Sequence, residues 1–490
     1  MPLNASELLV VLGPDGPVPL RVRLTNALRD AVRSGRVAPG STLPSSRVLA
    51  RDLGVSRGVV TEAYAQLAAE GFVRSRPGAG TTVTSPGVHT ASVSTLSHAR
   101  PTLAPGTIDL RPGLPDLSSF PRQQWAAAVR DTLRDLPAPR LGYTEPWGAL
   151  ALREQLSQYL ARVRGASVHP ESVVVTTGAT QGISLIAQLL RRRGHRYVAV
   201  EDPSNAIQRR LLTELGLSVV DVPVDWQGLA VDVLAASPAR VVICTPAHQY
   251  PTGVVMSASR REQLCRWAQE QDALIVEDDY DSEFSYGPVV EACLQGVVPQ
   301  HVALLGSVSK SLAPALRLGW IVAPPSLLMA LRQAKSHADF GSNFLEQEVL
   351  AELIASAAYD RNLRRLRRRY SERRQCLATA LSRQLPGWRV MGAAAGLHFV
   401  VQVPDQVDET RLVAAAAAQG VAVIGIAGLT GSNPHGPAIV LSFAGATRDM
   451  LAEAVNRLAQ AVASMDGLPE TAARPALSRV EWYERGVLKA

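Results

Sequence analysis

Only three of the 50 basic residues in this 490-residue chain are lysines: Lys310, Lys335 and Lys489. A side chain that captures a carbonyl as a Schiff base must be an amine, so the candidates for that chemistry are few. Lys310 lies in GSVSKSLAPALRLGW (Gly306–Trp320), behind an apolar run, with Ser307 and Ser309 before it and Arg317 after it. An amine in apolar surroundings near a cation has a lowered pKa and becomes nucleophilic. Ser307, Ser309 and Arg317 are suitable donors for a phosphate ester beside it. The alternative for any lone lysine is a solvated surface residue, which the apolar flanks and the near-exclusive use of arginine elsewhere disfavour.

Three further motifs supply complementary groups. LIVEDDYDSEF (Leu274–Phe284) reads as a buried strand delivering Glu277, Asp278 and Asp279 at its end, followed by Tyr280. Such carboxylates can hold a metal, act as acid and base, or pair with a cation. No histidine is expected near them and no second carboxylate cluster has metal spacing, so a cation is the expected partner and no metal site is expected. His89, His195, His301 and His337 show no ligand spacing. Asp278 can pair with a protonated pyridine nitrogen and Tyr280 can donate to a phenolic oxygen on the same ring. Asp281 and Glu283 are expected to cap the next element. TTGATQG (Thr176–Gly182) offers a glycine turn that opens a helix, a place for a phosphate on free backbone amides. CTPAHQYPTG (Cys244–Gly253) places a Pro/Gly turn where an open parallel sheet builds its crevice. Taken singly, each of these two turns serves packing as readily as binding.

Together the parts match a pyridoxal 5′-phosphate site: an amine for the aldehyde, a carboxylate for the ring nitrogen and donors for the phosphate. Residues from Ile108 to Met465 resemble fold-type I aminotransferases, because the four motifs occur in that family's order; Leu141–Leu160 (LGYTEPWGALALREQLSQYL) is similar as well. The resemblance implies that Lys310 forms the internal Schiff base, Asp278 pairs the pyridinium and Tyr280 bonds the phenolic oxygen. It places the backbone of Ala179 and Thr180, with Ser307, Ser309 and Arg317, around the phosphate. Three positions depart from the family pattern. Tyr250 stands where related enzymes carry an asparagine that bonds the phenolic oxygen. Asn205 stands where several relatives stack an aromatic ring on the cofactor. No arginine occupies the place, in AIVLSFAGATRD, where the family grips a substrate carboxylate.

The elements that must position these groups are legible as alternation. Apolar runs at Ser172–Thr177, Tyr197–Val200, Val219–Val222, Arg240–Thr245, Ala273–Glu277, Val302–Gly306 and Gly319–Val322 are separated by helical stretches. That pattern predicts an α/β unit around a parallel sheet buried on both faces. The apolar window Leu412–Leu429 contains Gln419 and three glycines and reads as a buried helix followed by a strand, not a membrane span.

The first zone has another grammar. Leu20, Leu24, Leu28, Ala31 and Val32 share one face of a first helix. Ser45 and Ser56 are placed to cap two short helices around the Gly54–Ser56 turn, and Phe72–Arg76 and Thr81–Thr84 form a hairpin. This stretch resembles the winged helix-turn-helix of GntR-type bacterial regulators. By that resemblance Arg47, Ser56, Arg57, Thr61 and Gly78 lie at double-stranded DNA. Residues 1–85 hold ten arginines and six acidic residues, which suits a polyanion.

The expected architecture is therefore multidomain: an α+β winged helix-turn-helix (1–84), a Ser/Pro-rich linker (85–107), a large α/β aminotransferase-like unit (108–465) and a tail (466–490). This order resembles the MocR (GabR-like) regulators and implies a head-to-tail homodimer and an effector, either pyridoxal phosphate itself or an amino compound that reacts with it. The alternative is a genuine aminotransferase carrying a DNA-binding module; loss of the substrate arginine argues for sensing over turnover. Four scattered cysteines, no export signal and no membrane span point to the cytoplasm. With 47% hydrophobic and 19% charged residues the chain is too apolar to be mainly disordered.

Overall fold

The computed structural model describes residues 18–33, 36–38, 40–76, 80–84, 102–287, 292–392, 395–433 and 435–465. The chain divides into two compact units, Met1–Pro101 and Thr102–Ala490. Most of the expected linker, the expected tail and Gly78 lie outside the described residues.

The first unit contains α1 (Leu20–Arg33), β1 (Thr42–Leu43), α2 (Ser46–Asp52), α3 (Arg57–Ala69), β2 (Val73–Arg76) and β3 (Gly80–Val83). Both expected serine caps form. Ser45 Oγ accepts from the Val48 amide at 3.3 Å and Ser56 Oγ from the Val59 amide at 3.4 Å. β2 and β3 pair as the expected hairpin. A third strand was not foreseen: β1 pairs antiparallel with β3, Thr42 opposite Thr82. Two residues are too short to show a period-two pattern. Leu24, Leu28, Leu49, Val60, Leu67 and Val83 close a core belonging to this unit.

The second unit is built on an eight-stranded sheet. After β4 (Ile108–Asp109) come β5 (Val173–Thr176), α4 (Ala179–Arg192), β6 (Tyr197–Asp202), α5 (Ala206–Glu214), β7 (Ser218–Asp225), β8 (Gly228–Leu229), β9 (Val241–Cys244), β10 (Leu274–Asp278), β11 (Val302–Ser307) and β12 (Gly319–Val322). The sheet order is β5-β12-β11-β10-β9-β6-β7-β8. Alternate residues serve opposite faces: Leu305 and Ile321 join one apolar cluster, Leu304 and Trp320 another.

The sheet is mixed, which corrects the expectation of a parallel one. β12 runs antiparallel to both β11 and β5. The link Val308–Leu318 is too short for the helical crossover of roughly a dozen or more residues that joins parallel neighbours. It returns the chain as a hairpin and carries Lys310 and Arg317 on its loop.

α6 (Pro325–Asp339) and the long α7 (Ala358–Gln384) lead to a smaller antiparallel sheet. That sheet comprises β13 (Arg389–Met391), β14 (His398–Gln402), β16 (Ile424–Gly425) and β17 (Ala438–Ser442), in the order β13-β14-β17-β16. The Leu412–Leu429 window forms α8 (Glu409–Ala418), β15 (Val421–Ala422) and β16; β15 pairs with β4. Among the described residues no helix is long and apolar enough to cross a membrane.

Leu49 is fully buried between the helices of the first unit. Leu49→Ala is expected to destabilise that unit by about 2–5 kcal/mol, through lost transfer energy and the cavity left behind. Urea unfolding of the full-length protein, followed by far-UV circular dichroism, checks this as an earlier first transition.

Candidate functional site

The carboxyl ends of β5, β6, β9, β10 and β11 and the amino end of β12 meet at one rim of the large sheet. Open α/β sheets bind ligands at this rim. Thr176, Gly319 and Ser307 form one cross-strand row there. From that row the chain leaves into Gly178 and α4, into the Lys310 loop and back from Arg317.

Gly178 has φ +110°, open to glycine and strained for other residues, and precedes α4 without a side-chain cap. A Cβ on it would lie 3.3 Å from the Arg317 guanidinium, and a Cβ on Gly319 would stand 2.8 Å from Gly178 Cα. Two bare backbones thus let the arginine close over the start of the helix. Arg317 holds φ +51°, in the left-handed region. The Gln181 and Gly182 amides turn back to the Gly178 carbonyl. The amides of Ala179 and Thr180 open the first turn of the helix, where backbone donors have no intrahelical acceptor. With Arg317 over the helix start and the Ser307 hydroxyl in the adjoining strand row, they are donors of the kind that could hold a dianionic phosphate. Ser309 donates its amide to Ser307 Oγ at 3.4 Å. Lys310 Nζ donates to the Gly113 carbonyl at 2.7 Å.

Period-two alternation sorts the acids of β10 and its end. Asp279 pairs with buried Arg164 at 2.8 Å. Asp278 points the other way: Oδ2 accepts from Gln208 at 2.7 Å and buried Oδ1 has no partner. Burial pushes the Asp278 carboxyl up to about 6, with Gln208 and Lys310 pulling it back. Glu201, at the end of β6, is pushed up to about 7 by burial, and its Oε1 is also unpartnered. An orphaned carboxylate oxygen beside an amine, across the rim from these phosphate donors, is the donor set that a phosphorylated, protonated pyridine aldehyde requires. The residues fit pyridoxal 5′-phosphate on that ground.

Beyond the site residues named from the sequence, Gln208, Lys335, His248 and His398 also stand at the rim. Gln208, on α5, holds Asp278. Asn205 caps the same helix, accepting from the Ile207 amide at 3.0 Å. Lys335 on α6 is fully buried and donates to Asp339 (2.5 Å), Ser342 (2.7 Å) and Gln181 (3.1 Å). Gln181 Oε1 in turn accepts from the Thr177 amide at 2.9 Å, so Lys335 braces the phosphate turn.

The other two are histidines, and they correct the expectation that none lies near the acids. His248 Nδ1 sits 3.0 Å from Asp281 Oδ2 and 2.8 Å from the Tyr280 hydroxyl. His398 lies beside His248, and ligand atoms of His248, Asp281 and His398 fall within 4.8 Å of one another. Asp281 makes no capping bond, contrary to expectation, because its carboxylate turns inward to His248. Glu283 lies inside the short 3₁₀ turn and is not its cap; burial pushes its carboxyl up to about 8. The ring of Tyr250 meets Tyr280 edge-on, with centroids 6.1 Å apart. These contacts join residues thirty or more positions apart, which sequence spacing does not reveal.

In the first unit Arg47, Ser56, Arg57 and Thr61 are exposed together around the start of α3. Arg57 Nε donates to Ser46 Oγ at 3.3 Å and Thr61 Oγ1 to the Arg57 carbonyl. Ser56 is spent on its cap. Among the described residues Arg47 and Arg57 form no ion pair, whereas Arg29 is neutralised by Glu70 at 2.7 Å.

Residues 20–83 match the gntR family of bacterial regulatory proteins, and residues 108–458 match aminotransferase class I and II. The chain is 32% identical over 459 residues to the HTH-type pyridoxine biosynthesis transcriptional regulator PdxR of Corynebacterium glutamicum, covering 93% of this chain and 99% of that one. It is 29% identical to the probable rhizopine catabolism regulatory protein MocR of Rhizobium meliloti, covering 94% and 97%. Among solved structures, the α-aminoadipate aminotransferase LysN of Thermus thermophilus superposes with a TM-score of 0.67 at 27% identity, over 73% of this chain and 92% of that one. A class I and II aminotransferase domain implies pyridoxal 5′-phosphate as cofactor, and a GntR helix-turn-helix implies DNA binding. A winged helix-turn-helix followed by a fold-type I aminotransferase domain, in a chain of this similarity, belongs to the MocR (GabR-like) subfamily of GntR-type transcription regulators.

Proposed function

We propose that this regulator senses pyridoxal 5′-phosphate itself, or an amino compound that reacts with it, through the rim of the large sheet. Lys310 would hold the aldehyde carbon, Asp278 the ring nitrogen, Tyr280 the phenolic oxygen, and Ala179, Thr180, Ser307, Ser309 and Arg317 the phosphate. Tyr250 would border the ring. Asn205 would act from its cap. When bound, the cofactor supplies an electrophilic carbon and an electron-withdrawing ring. The protein's part is to bind and orient it: burial keeps Tyr280 protonated, its hydroxyl held well above the ordinary range. What supports a sensing role is that the segment AIVLSFAGATRD lacks the arginine with which the family's enzymes grip a substrate carboxylate, while the lysine, the carboxylate and the phosphate-turn residues of the family pattern are kept. PdxR, named for pyridoxine biosynthesis, gives the vitamin B6 reading its support.

Residues 1–84 are assigned to the DNA-binding domain, 85–107 to a linker, 108–465 to the sensing domain and 466–490 to a tail. Arg47, Ser56, Arg57, Thr61 and Gly78 are assigned to the DNA interface, and the cytoplasm is the matching compartment. A homodimer, head to tail as in related regulators, is supported by an exposed apolar patch on the large unit. There Tyr143 is 95% exposed, with its ring edge-on to that of Phe340 at 5.6 Å, near exposed Leu141. Footprinting the upstream region with and without pyridoxal phosphate tests the sensing role; a footprint moved only by an amino acid would replace the cofactor as signal. A second reading, true transamination, draws on 30% identity to the 2-aminoadipate transaminase of Thermus thermophilus. Steady keto-acid formation from amino donors would favour it.

Borohydride reduction of cofactor-saturated protein should leave one pyridoxyl-tagged peptide, containing Lys310. Lys310→Ala should carry no tag and no visible absorption band while retaining DNA binding. A tag on Lys335 or Lys489 instead would refute the assignment. At the other unit, Arg57→Ala is expected to weaken operator binding by roughly five- to a hundred-and-fiftyfold, the worth of about 1–3 kcal/mol for a base contact. Fluorescence anisotropy on operator and scrambled duplexes separates a base contact, which loses discrimination, from a phosphate contact, which weakens both equally.

A further inference from the structure

His248 takes no part in the cofactor set described above, yet it is built into the rim with care for its surroundings. Its side chain and that of Asp281 are fully buried. A Cβ at Gly396 would overlap the His248 ring and press on Asp281, so the packing there admits only a bare backbone. The titratable groups facing this imidazole are Asp281, Tyr280 and His398, with Tyr250, Asp278 and Lys310 acting on its neighbours. His398 is held neutral by burial and by His248 beside it, its pKa pushed down to about 3, and its Nε2 lies 3.0 Å from the Pro251 carbonyl.

Both Asp281 Oδ2 and the Tyr280 hydroxyl lie at the same nitrogen, Nδ1. A bare Nδ1 would set a lone pair against a buried carboxylate, two acceptors face to face. A proton on Nδ1 removes that conflict whether the ring is neutral or charged. The unpartnered Nε2 agrees, since a buried acceptor left unsatisfied is less rare than an orphaned N–H. With Nδ1 donating, the Tyr280 oxygen can only accept from it. The tyrosine's own proton is then left for another acceptor, and Asp281, itself in hydrogen-bond reach of the hydroxyl but already engaged by Nδ1, competes for it with a bound phenolic oxygen.

We infer that His248, fixed as a donor by Asp281, is a positioning residue that turns the Tyr280 hydroxyl proton toward the phenolic oxygen of the bound cofactor. This rests on the cofactor reading above. It also explains how the site manages with Tyr250 in the place of an asparagine: one well-aimed donor does the work of two. A donor at that oxygen favours its ionised form and lowers the pH at which the bound cofactor's visible band changes.

The test is a pH titration of that band in the full-length, pyridoxal phosphate-loaded protein. Tyr280→Phe should raise the midpoint by about one pH unit, the scale of one hydrogen bond to a charged oxygen. His248→Ala should raise it by most of that amount, and His248→Asn, whose amide can donate near the place of Nδ1, should restore the original midpoint. The double variant Tyr280→Phe/His248→Ala should titrate with Tyr280→Phe alone, because His248 acts through the tyrosine. An unchanged midpoint in His248→Ala, or full additivity in the double variant, overturns the inference. If His248→Ala does not fold, Asp281→Asn replaces it: a raised midpoint supports the inference and an unchanged one overturns it. Absence of any visible band in the wild-type protein would instead overturn the cofactor reading.

Discussion

One antiparallel return in an otherwise largely parallel sheet sets up the whole rim. Because β12 comes straight back beside β11, the loop between them is held at the carboxyl ends of the neighbouring strands. That loop carries Lys310 and Arg317, and β12 then pairs with β5, whose end opens into Gly178 and α4. An amine, a guanidinium and a helix start, which are far apart in sequence, thus share one cross-strand row. A parallel β12 would have entered from the opposite edge and carried Arg317 away from the helix.

The second constraint is the cost of burying charge. Three acids stand at or just past the end of β10, and two of them lie near the cation Arg164: Asp279 by direct pairing, Glu277 by its field. Asp278 hydrogen-bonds only the neutral amide of Gln208, feels Lys310 through its field alone, and has one oxygen with no hydrogen-bond partner. A buried carboxylate left half-satisfied costs stability. A cation such as a protonated ring nitrogen would offset that cost at Asp278. The same logic explains the brace behind the phosphate turn. Lys335 is fully buried but fully engaged, and through Gln181 its charge sits behind the Thr177–Gly178 turn.

Much of this could be read from sequence, and the failures have a common cause. Serine caps, the strand runs and the four motifs are local signals, so α2, α3 and the strands of the rim fall near the expected positions. The direction of β12 was missed because an apolar run carries no sign of its direction; the length of the Val308–Leu318 link was the signal that could have supplied it. Gln208 and His248 were missed because their partners, Asp278 and Asp281, lie 70 and 33 residues away. Asp281 was misjudged because an acid after a strand end is more often a cap. Only the adjacency of β9 and β10 makes it a partner of His248.

Sensing and turnover make different demands on such a rim. Catalysis needs a grip on the reacting substrate that strengthens in the transition state. A signal needs only a ligand that binds one conformation far better than another, by roughly ten-thousandfold to move an equilibrium from 1:99 to 99:1. A ligand held at three points by groups drawn from separate strands can meet that demand. Lys310 and Arg317 ride on one hairpin, Asp278 on β10 and the first-turn amides on α4. Any conformation that shifts one of these elements against the others breaks several contacts at once. A ligand held by these groups would therefore discriminate steeply between arrangements of the strands, even without the arginine that would hold an amino-acid substrate for reaction.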